Sequence, residues 1–183
     1  MNRYLFLCGL KSCGKTSAGR HLDQSLNDSV FIDLDDVLLE ESKEKNISTL
    51  YKMMGENMFR KYESEIFNKV INVCNENWHE KLIIIALGGG SCNSPDILNN
   101  ANKIGRTVYI WCHEKILYGR YMKNGFPQYL SEEKDICNKR AKFHDIYKKR
   151  DGIYSSKCQF MLKSDAKSVD EISKEIAVII GKN

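Results

Sequence analysis

Tyr4-Leu-Phe-Leu-Cys-Gly-Leu10 runs directly into Gly9-Leu-Lys11-Ser12-Cys-Gly14-Lys15-Thr16, and this junction decides the fold. A short, nearly unbroken apolar run is the pattern of a strand buried on both faces of a parallel sheet. Residues 14–26 then read as a helix. The segment between them matches G-x-x-x-x-G-K-[ST], a motif that carries meaning only when a strand precedes it and a helix follows. Both conditions are met. Glycines there let backbone N–H groups turn inward around phosphate oxygens, and the start of the helix adds its dipole. A lysine at position 15 suits the β- and γ-phosphates, and a hydroxyl at position 16 suits Mg²⁺. A nucleoside triphosphate with Mg²⁺ is the expected ligand.

Outward from this loop, strand and helix patterns alternate. Strands are predicted over residues 30–34, 81–87, 107–111 and 158–162. Helices are predicted over 36–44, 48–75, 113–122 and 132–149, with another opened by Ser94-Pro95. Residues 124–130, holding Gly125 and Pro127, read as a loop. Ser168-Val-Asp-Glu171 is a capping box before a last helix that carries Ile172, Ile176 and Ile179 on one face. This alternation predicts an α/β fold, a three-layer α/β/α arrangement around a five-stranded parallel sheet. At 183 residues the chain is expected to form a single domain.

Composition narrows the function classes. Apolar residues make up 42% and charged residues 28%, so a disordered chain or a coiled coil is excluded. The longest apolar runs fall far short of the roughly 20 residues of a membrane span. Lys11 and Lys15 interrupt the first run and no small-residue cleavage site follows, which argues against a signal peptide. The net charge of +4 suits a small anionic ligand and does not by itself argue for nucleic acid. Lys139-Arg140, Lys142 and Lys148-Lys149-Arg150 read mainly as a solvated helix face. Seven cysteines without a C-x-x-C pair read as reduced thiols in a cytoplasmic protein. Neither a nucleic acid nor a membrane partner is expected, and a monomer is.

Three further patterns suggest an acceptor site. Phe31-Ile-Asp33-Leu-Asp35 puts two carboxylates at the end of the second strand, where alternation would place them on one face, with Asp36 as the expected cap of the next helix. The carboxyl ends of strands in an open α/β sheet are where ligands bind. Arg60 and Glu63 are three apart in a predicted helix and can pair. Leu87-Gly88-Gly89-Gly90 ends the third strand with a run in which side chains would obstruct an approaching ligand.

Together these pieces resemble the shikimate kinase family, small P-loop kinases of the nucleoside monophosphate kinase type. The family patterns F-x-D-x-D, G-E-x-x-F-R-x-x-E and G-G-G correspond to Phe31-Ile-Asp33-Leu-Asp35, Gly55-Glu56-Asn-Met-Phe59-Arg60-Lys-Tyr-Glu63 and Gly88-Gly89-Gly90. Arg150-Asp-Gly-Ile-Tyr154 looks like the family's R-x-P-L-Y, with glycine for proline. The resemblance implies transfer of the γ-phosphoryl group of ATP to the 3-hydroxyl of shikimate, within aromatic amino acid biosynthesis. It implies ATP contacts from Gly9, Ser12, Gly14, Lys15, Thr16 and Ser17, with Arg120 against adenine. It implies a metal site at Thr16 and Asp33, and catalytic roles for Lys15, Asp33 and Asp35. Asp35, Arg60, Arg150 and the backbone of Gly88, Gly89 and Gly90 would bind shikimate, with Glu63 steadying Arg60 and Arg140 as the alternative to Arg150. The substrate region spans about residues 33–63 and the lid about 123–135.

The lid departs from the family's R-P-L-L. Phe126-Pro127-Gln-Tyr-Leu130 puts phenylalanine where the arginine is expected, and Lys123 is the candidate to supply its charge. Another small P-loop kinase, for gluconate or a nucleotide, is the alternative reading. A nucleotide-binding regulator with a decayed lid is a second.

Overall fold

The computed structural model describes residues 3–181, with the side chains of Pro95, Gln128 and Tyr129 outside that description. Among the described residues, β1 (Tyr4–Cys8), β2 (Ser29–Asp33), β3 (Leu82–Ala86), β4 (Gly105–Trp111) and β5 (Phe160–Lys163) form one sheet in the order β2-β3-β1-β4-β5. Every pairing is parallel, with Leu5 opposite both Ile84 and Arg106. The two most apolar runs, β1 and β3, lie side by side within the sheet. All five residues of β1 are buried, whereas the edge strand β2 is only partly covered.

This order positions the site. Because the strands are parallel, the segments following β1, β2 and β3 leave the same edge. Because β3 lies between β2 and β1, those three segments are neighbours there. They are the glycine-rich loop, the turn from Asp33 into the next helix, and Gly88–Gly90. The chain crosses from one side of β1 to the other between β3 and β4, which opens the crevice in which such sheets bind ligands.

The helices are α1 (Lys15–Ser25), α2 (Leu34–Ser42), α3 (Ile47–Asn77), α4 (Pro95–Ile104), α5 (Glu114–Asn124), α6 (Gln128–Ser131), α7 (Ile136–Lys157) and α8 (Val169–Gly181). The expected three-layer plan of sheet and helices holds. The capping box is present: the Glu171 N–H donates to Ser168 Oγ at 3.2 Å and the Ser168 N–H to Glu171 Oε2 at 2.8 Å. α8 packs on α1, where the Ser173 hydroxyl donates to the Ala18 carbonyl at 3.1 Å. All seven cysteines are free, and no helix among the described residues is long and apolar enough to cross a membrane.

Two helices differ from their expected spans. α3 is broken at Gly55, whose φ of 71° and ψ of 165° lie outside the helical region; its left-handed φ favours glycine. The break redirects the part that carries Arg60 and Glu63. α7 was expected to end at residue 149 and instead runs to Lys157. Phe143, Tyr147, Arg150 and Tyr154 recur at helical spacing and are all buried, so tertiary packing carries the helix through Gly152. The expected loop over 124–130 also contains the start of the short α6.

Candidate active site

The loop after β1 is shaped by positive φ at Gly9 (137°), Ser12 (64°) and Gly14 (110°). At Gly9, space is also limiting, since a Cβ would lie 2.7 Å from the Ile110 carbonyl oxygen. Lys15 opens α1, yet only 8% of it is exposed. Its ammonium donates to the carbonyls of Gly9 at 2.9 Å and Leu10 at 3.1 Å, so the protein's own backbone holds the cation over the loop. Arg120, from α5, donates to the Ser12 carbonyl at 2.8 Å. A cavity of about 350 Å³ is lined by Ser12, Gly14, Lys15, Thr16, Ser17 and Arg120. Of the residues expected to contact ATP, all but Gly9 line this one cavity, and Gly9 shapes the loop beneath it.

The acids reach the site by another route than alternation along a strand. β2 ends at Asp33, and Asp35 lies in the first turn of α2. Asp33, not Asp36, caps that helix: its Oδ1 accepts the Asp35 N–H at 3.1 Å. Asp36 is exposed and pairs with Arg20 at 3.1 Å. The other oxygen of Asp33, Oδ2, accepts the Thr16 hydroxyl at 2.6 Å. Burial, then the charge of Asp33, pushes the Asp35 carboxyl up to about 6, with Lys15 acting in the opposite direction.

Thr16 and Asp33 also fit Mg²⁺. This ion takes few protein oxygens and keeps waters and substrate phosphates as its other ligands, so one hydroxyl beside one carboxylate is sufficient. Among the described residues no cluster of three or more His, Cys, Asp or Glu side chains could hold a metal alone. The arrangement suits an ion that comes with its phosphates.

A second cavity, of about 460 Å³, adjoins the loop and shares Ser12, Lys15 and Thr16 with the first. Asp33 and Asp35 line it together with Arg60, Glu63, Gly88–Gly90 and Arg150. Glu63, 1% exposed, accepts from Arg60 Nη1 at 2.6 Å and from the Ser91 hydroxyl at 2.5 Å. Arg60 Nε is buried and has no partner among the described residues. Arg150, 7% exposed, donates to the Gly89 carbonyl at 3.2 Å. Arg140 instead lies over the Tyr118 ring, 5.4 Å from its centroid. Of the two candidate arginines, Arg150 faces the cavity.

The glycine run was expected to leave room for a ligand, and much of that room is already taken by the protein. A Cβ at Gly88 would lie 2.8 Å from both Asp35 Oδ1 and Glu63 Oε1, and one at Gly89 would lie 2.6 Å from the Lys11 backbone nitrogen. At Gly90 it would overlap Arg60 and approach Arg150 to 3.3 Å. Each glycine thus admits a different part of the site. Sequence reasoning missed Lys11, Asn46 and Tyr51, which also line this cavity. Only Asn46 carried a local signal, as the cap of α3 that accepts the Thr49 N–H at 2.9 Å.

Phe126 turns to an aromatic cluster, with its ring 5.6 Å from that of Tyr118 and 6.3 Å from that of Tyr121. Pro127, beside it, lines the larger cavity. Lys123, at the end of α5, is exposed and is not among the residues lining either cavity.

The chain matches the family model described as shikimate kinase over residues 11–180. It is 29% identical to a shikimate kinase of Clostridium botulinum, with all of both chains covered. It is 27% identical to that of Aliivibrio fischeri over 95% of this chain and 94% of the relative. Its fold is that of solved shikimate kinases. The structure from Acinetobacter baumannii, a complex with shikimate, has a TM-score of 0.83 at 22% identity, covering 98% of this chain and 93% of the other. That from Bacteroides thetaiotaomicron has a TM-score of 0.81 at 22% identity, covering 97% and 98%.

Proposed function

Starting from the fact that the chain belongs to the shikimate kinase family and is an ATP-dependent kinase, we propose how its own residues perform transfer of the γ-phosphoryl group to the 3-hydroxyl of shikimate. The observation that carries this is the polarity of the larger cavity. Two of its carboxylates, Asp33 and Asp35, adjoin the phosphate loop, the third, Glu63, is taken up by Arg60 and Ser91, and its guanidinium groups, Arg60 and Arg150, lie beside Gly90. A substrate with a hydroxyl at one end and a carboxylate at the other fits that arrangement. Arginine suits the carboxylate because its planar fork can engage both oxygens, and both Arg60 and Arg150 line the cavity.

In this reading ATP lies along the loop, with Lys15 on its β- and γ-phosphates and Arg120 toward the base. Thr16 and Asp33 hold Mg²⁺, which neutralises phosphate charge when bound. Asp35 orients the acceptor hydroxyl and takes its proton as the oxygen–phosphorus bond forms. The bond from the γ-phosphorus to the bridging oxygen breaks, and ADP leaves with that electron pair. The lid, residues 123–135, closes to exclude water. The free cysteines support a cytoplasmic location, and the reading takes the enzyme to be a monomer of one domain.

ADP release coupled to oxidation of a nicotinamide reporter tests the function. Shikimate-dependent release is expected; activity on gluconate or a nucleoside monophosphate with none on shikimate would overturn the proposal. For the carboxylate site, Arg60→Ala and Arg150→Ala are each expected to weaken shikimate binding by about 2–5 kcal/mol, with ATP binding little changed. Calorimetry with each ligand checks this, and equal loss of both ligands would indicate damage to the fold instead.

A further inference from the structure

Resting on that reading, we propose that Lys11 is a catalytic residue whose ammonium contacts the transferring phosphoryl group. Such transfer is governed by positioning and by neutralising charge on the phosphoryl oxygens, so cations at the junction of the two ligands matter most. Most cations near that junction already have partners. Lys15 is held by two loop carbonyls, Arg120 by the Ser12 carbonyl, Arg60 by Glu63 and Arg150 by the Gly89 carbonyl. Lys11 differs. Its side chain is exposed, lines the larger cavity, and has no hydrogen bond or ion pair among the described residues.

Its backbone fixes where that side chain starts. Lys11 follows Leu10, whose carbonyl holds Lys15, and a Cβ at Gly89 would lie 2.6 Å from its nitrogen and 3.2 Å from its Cα. The residue is therefore clamped between the loop that cradles ATP and the glycine run that borders the acceptor. A flexible stem from this point carries a point charge to the place where the γ-phosphoryl group crosses. Among the described residues no lysine of the lid lines either cavity: Phe126 packs into the aromatic cluster, and Lys123 and Lys134 are part of neither lining. Lys11 leaves proton transfer to Asp35 and changes no bond itself. It stabilises the charge that the phosphoryl oxygens carry as the bond to ADP breaks.

The test is the single-turnover rate of phosphoryl transfer at saturating ATP and shikimate for the parent, Lys11→Met and Lys11→Arg. Methionine keeps an unbranched stem and removes the charge. Lys11→Met is expected to slow transfer on the order of 10- to 100-fold, with the calorimetric affinities for both ligands within about threefold. Lys11→Arg is expected to recover most of the rate. An unchanged rate in Lys11→Met would overturn the assignment. So would a loss confined to shikimate affinity, or an arginine variant no faster than the methionine one. A parent without shikimate-dependent turnover would instead defeat the functional reading on which this rests.

Discussion

Lys15→Ala is expected to lower turnover on the order of 100-fold or more. Wild-type Lys15 is almost wholly buried, and its ammonium is bonded to the Gly9 and Leu10 carbonyls of the loop. A preorganised cation of this kind needs no rearrangement when charge shifts toward the β–γ bridging oxygen. Alanine removes that charge and leaves both carbonyls to water. Steady-state ADP release at saturating shikimate measures the effect. Because the lost contact strengthens as the bond breaks, kcat should fall more than ATP affinity does. Near-normal turnover in the variant would show that ATP does not use this loop as proposed.

Asp35→Asn should cost on the order of 100- to 10,000-fold in kcat/KM, the range of a positioned general base. Asparagine keeps the shape of the side chain but cannot take the proton of the acceptor hydroxyl. The wild-type pH profile gives a second check. Burial and the neighbouring charge of Asp33 raise the Asp35 carboxyl to about 6, so kcat/KM should fall as pH drops through about 6. The stability effect has the opposite sign. In the unfolded chain Asp35 ionises near its ordinary value of 3.8. The folded protein therefore binds this proton more tightly than the unfolded chain does. Ionised Asp35 destabilises the fold above about pH 6, and that penalty is relieved as pH falls toward 4. Asp35→Asn should be more stable than the parent by about 1–2 kcal/mol at pH 7–8, with the gain shrinking below pH 6. Denaturant unfolding at pH 7.5 and pH 4.5 measures this. A variant with kcat/KM close to that of the parent would remove Asp35 as the base, and one with no stability gain at pH 7.5 would show that ionised Asp35 does not strain the fold.

How much of this was legible in the chain depends on the range of the interaction. The phosphate loop was readable because a strand, a glycine-bearing turn and a helix start are consecutive in sequence. The capping box at Ser168 and Glu171 was readable for the same reason: both partners lie within one helical turn. The paired acids were found, but their geometry was not. Alternation assumed a strand through Asp35, whereas Asp33 ends the strand and caps the helix. A local competition between two hydrogen-bonding patterns settled that, and either pattern was compatible with the residues.

The sequence alone determined the loop, the order of strands and helices, and which residue types were available for charge. Tertiary structure decided which of them meet. The sequence already favoured Arg150 over Arg140; the fold adds where each side chain goes, since the packing of Phe143, Tyr147 and Tyr154 carries α7 past Gly152, Arg150 meets the Gly89 carbonyl and Arg140 lies over Tyr118. Glu63 meets Ser91 across 28 positions, and Thr16 meets Asp33 across 17. Lys11 became notable only through its place beside Gly89 and its lack of a partner among the described residues. Contacts of this kind exist because β3 inserts between β2 and β1, bringing three distant chain segments to one edge of the sheet. No local preference of the residues involved encodes that order; burying the two most apolar strands side by side does.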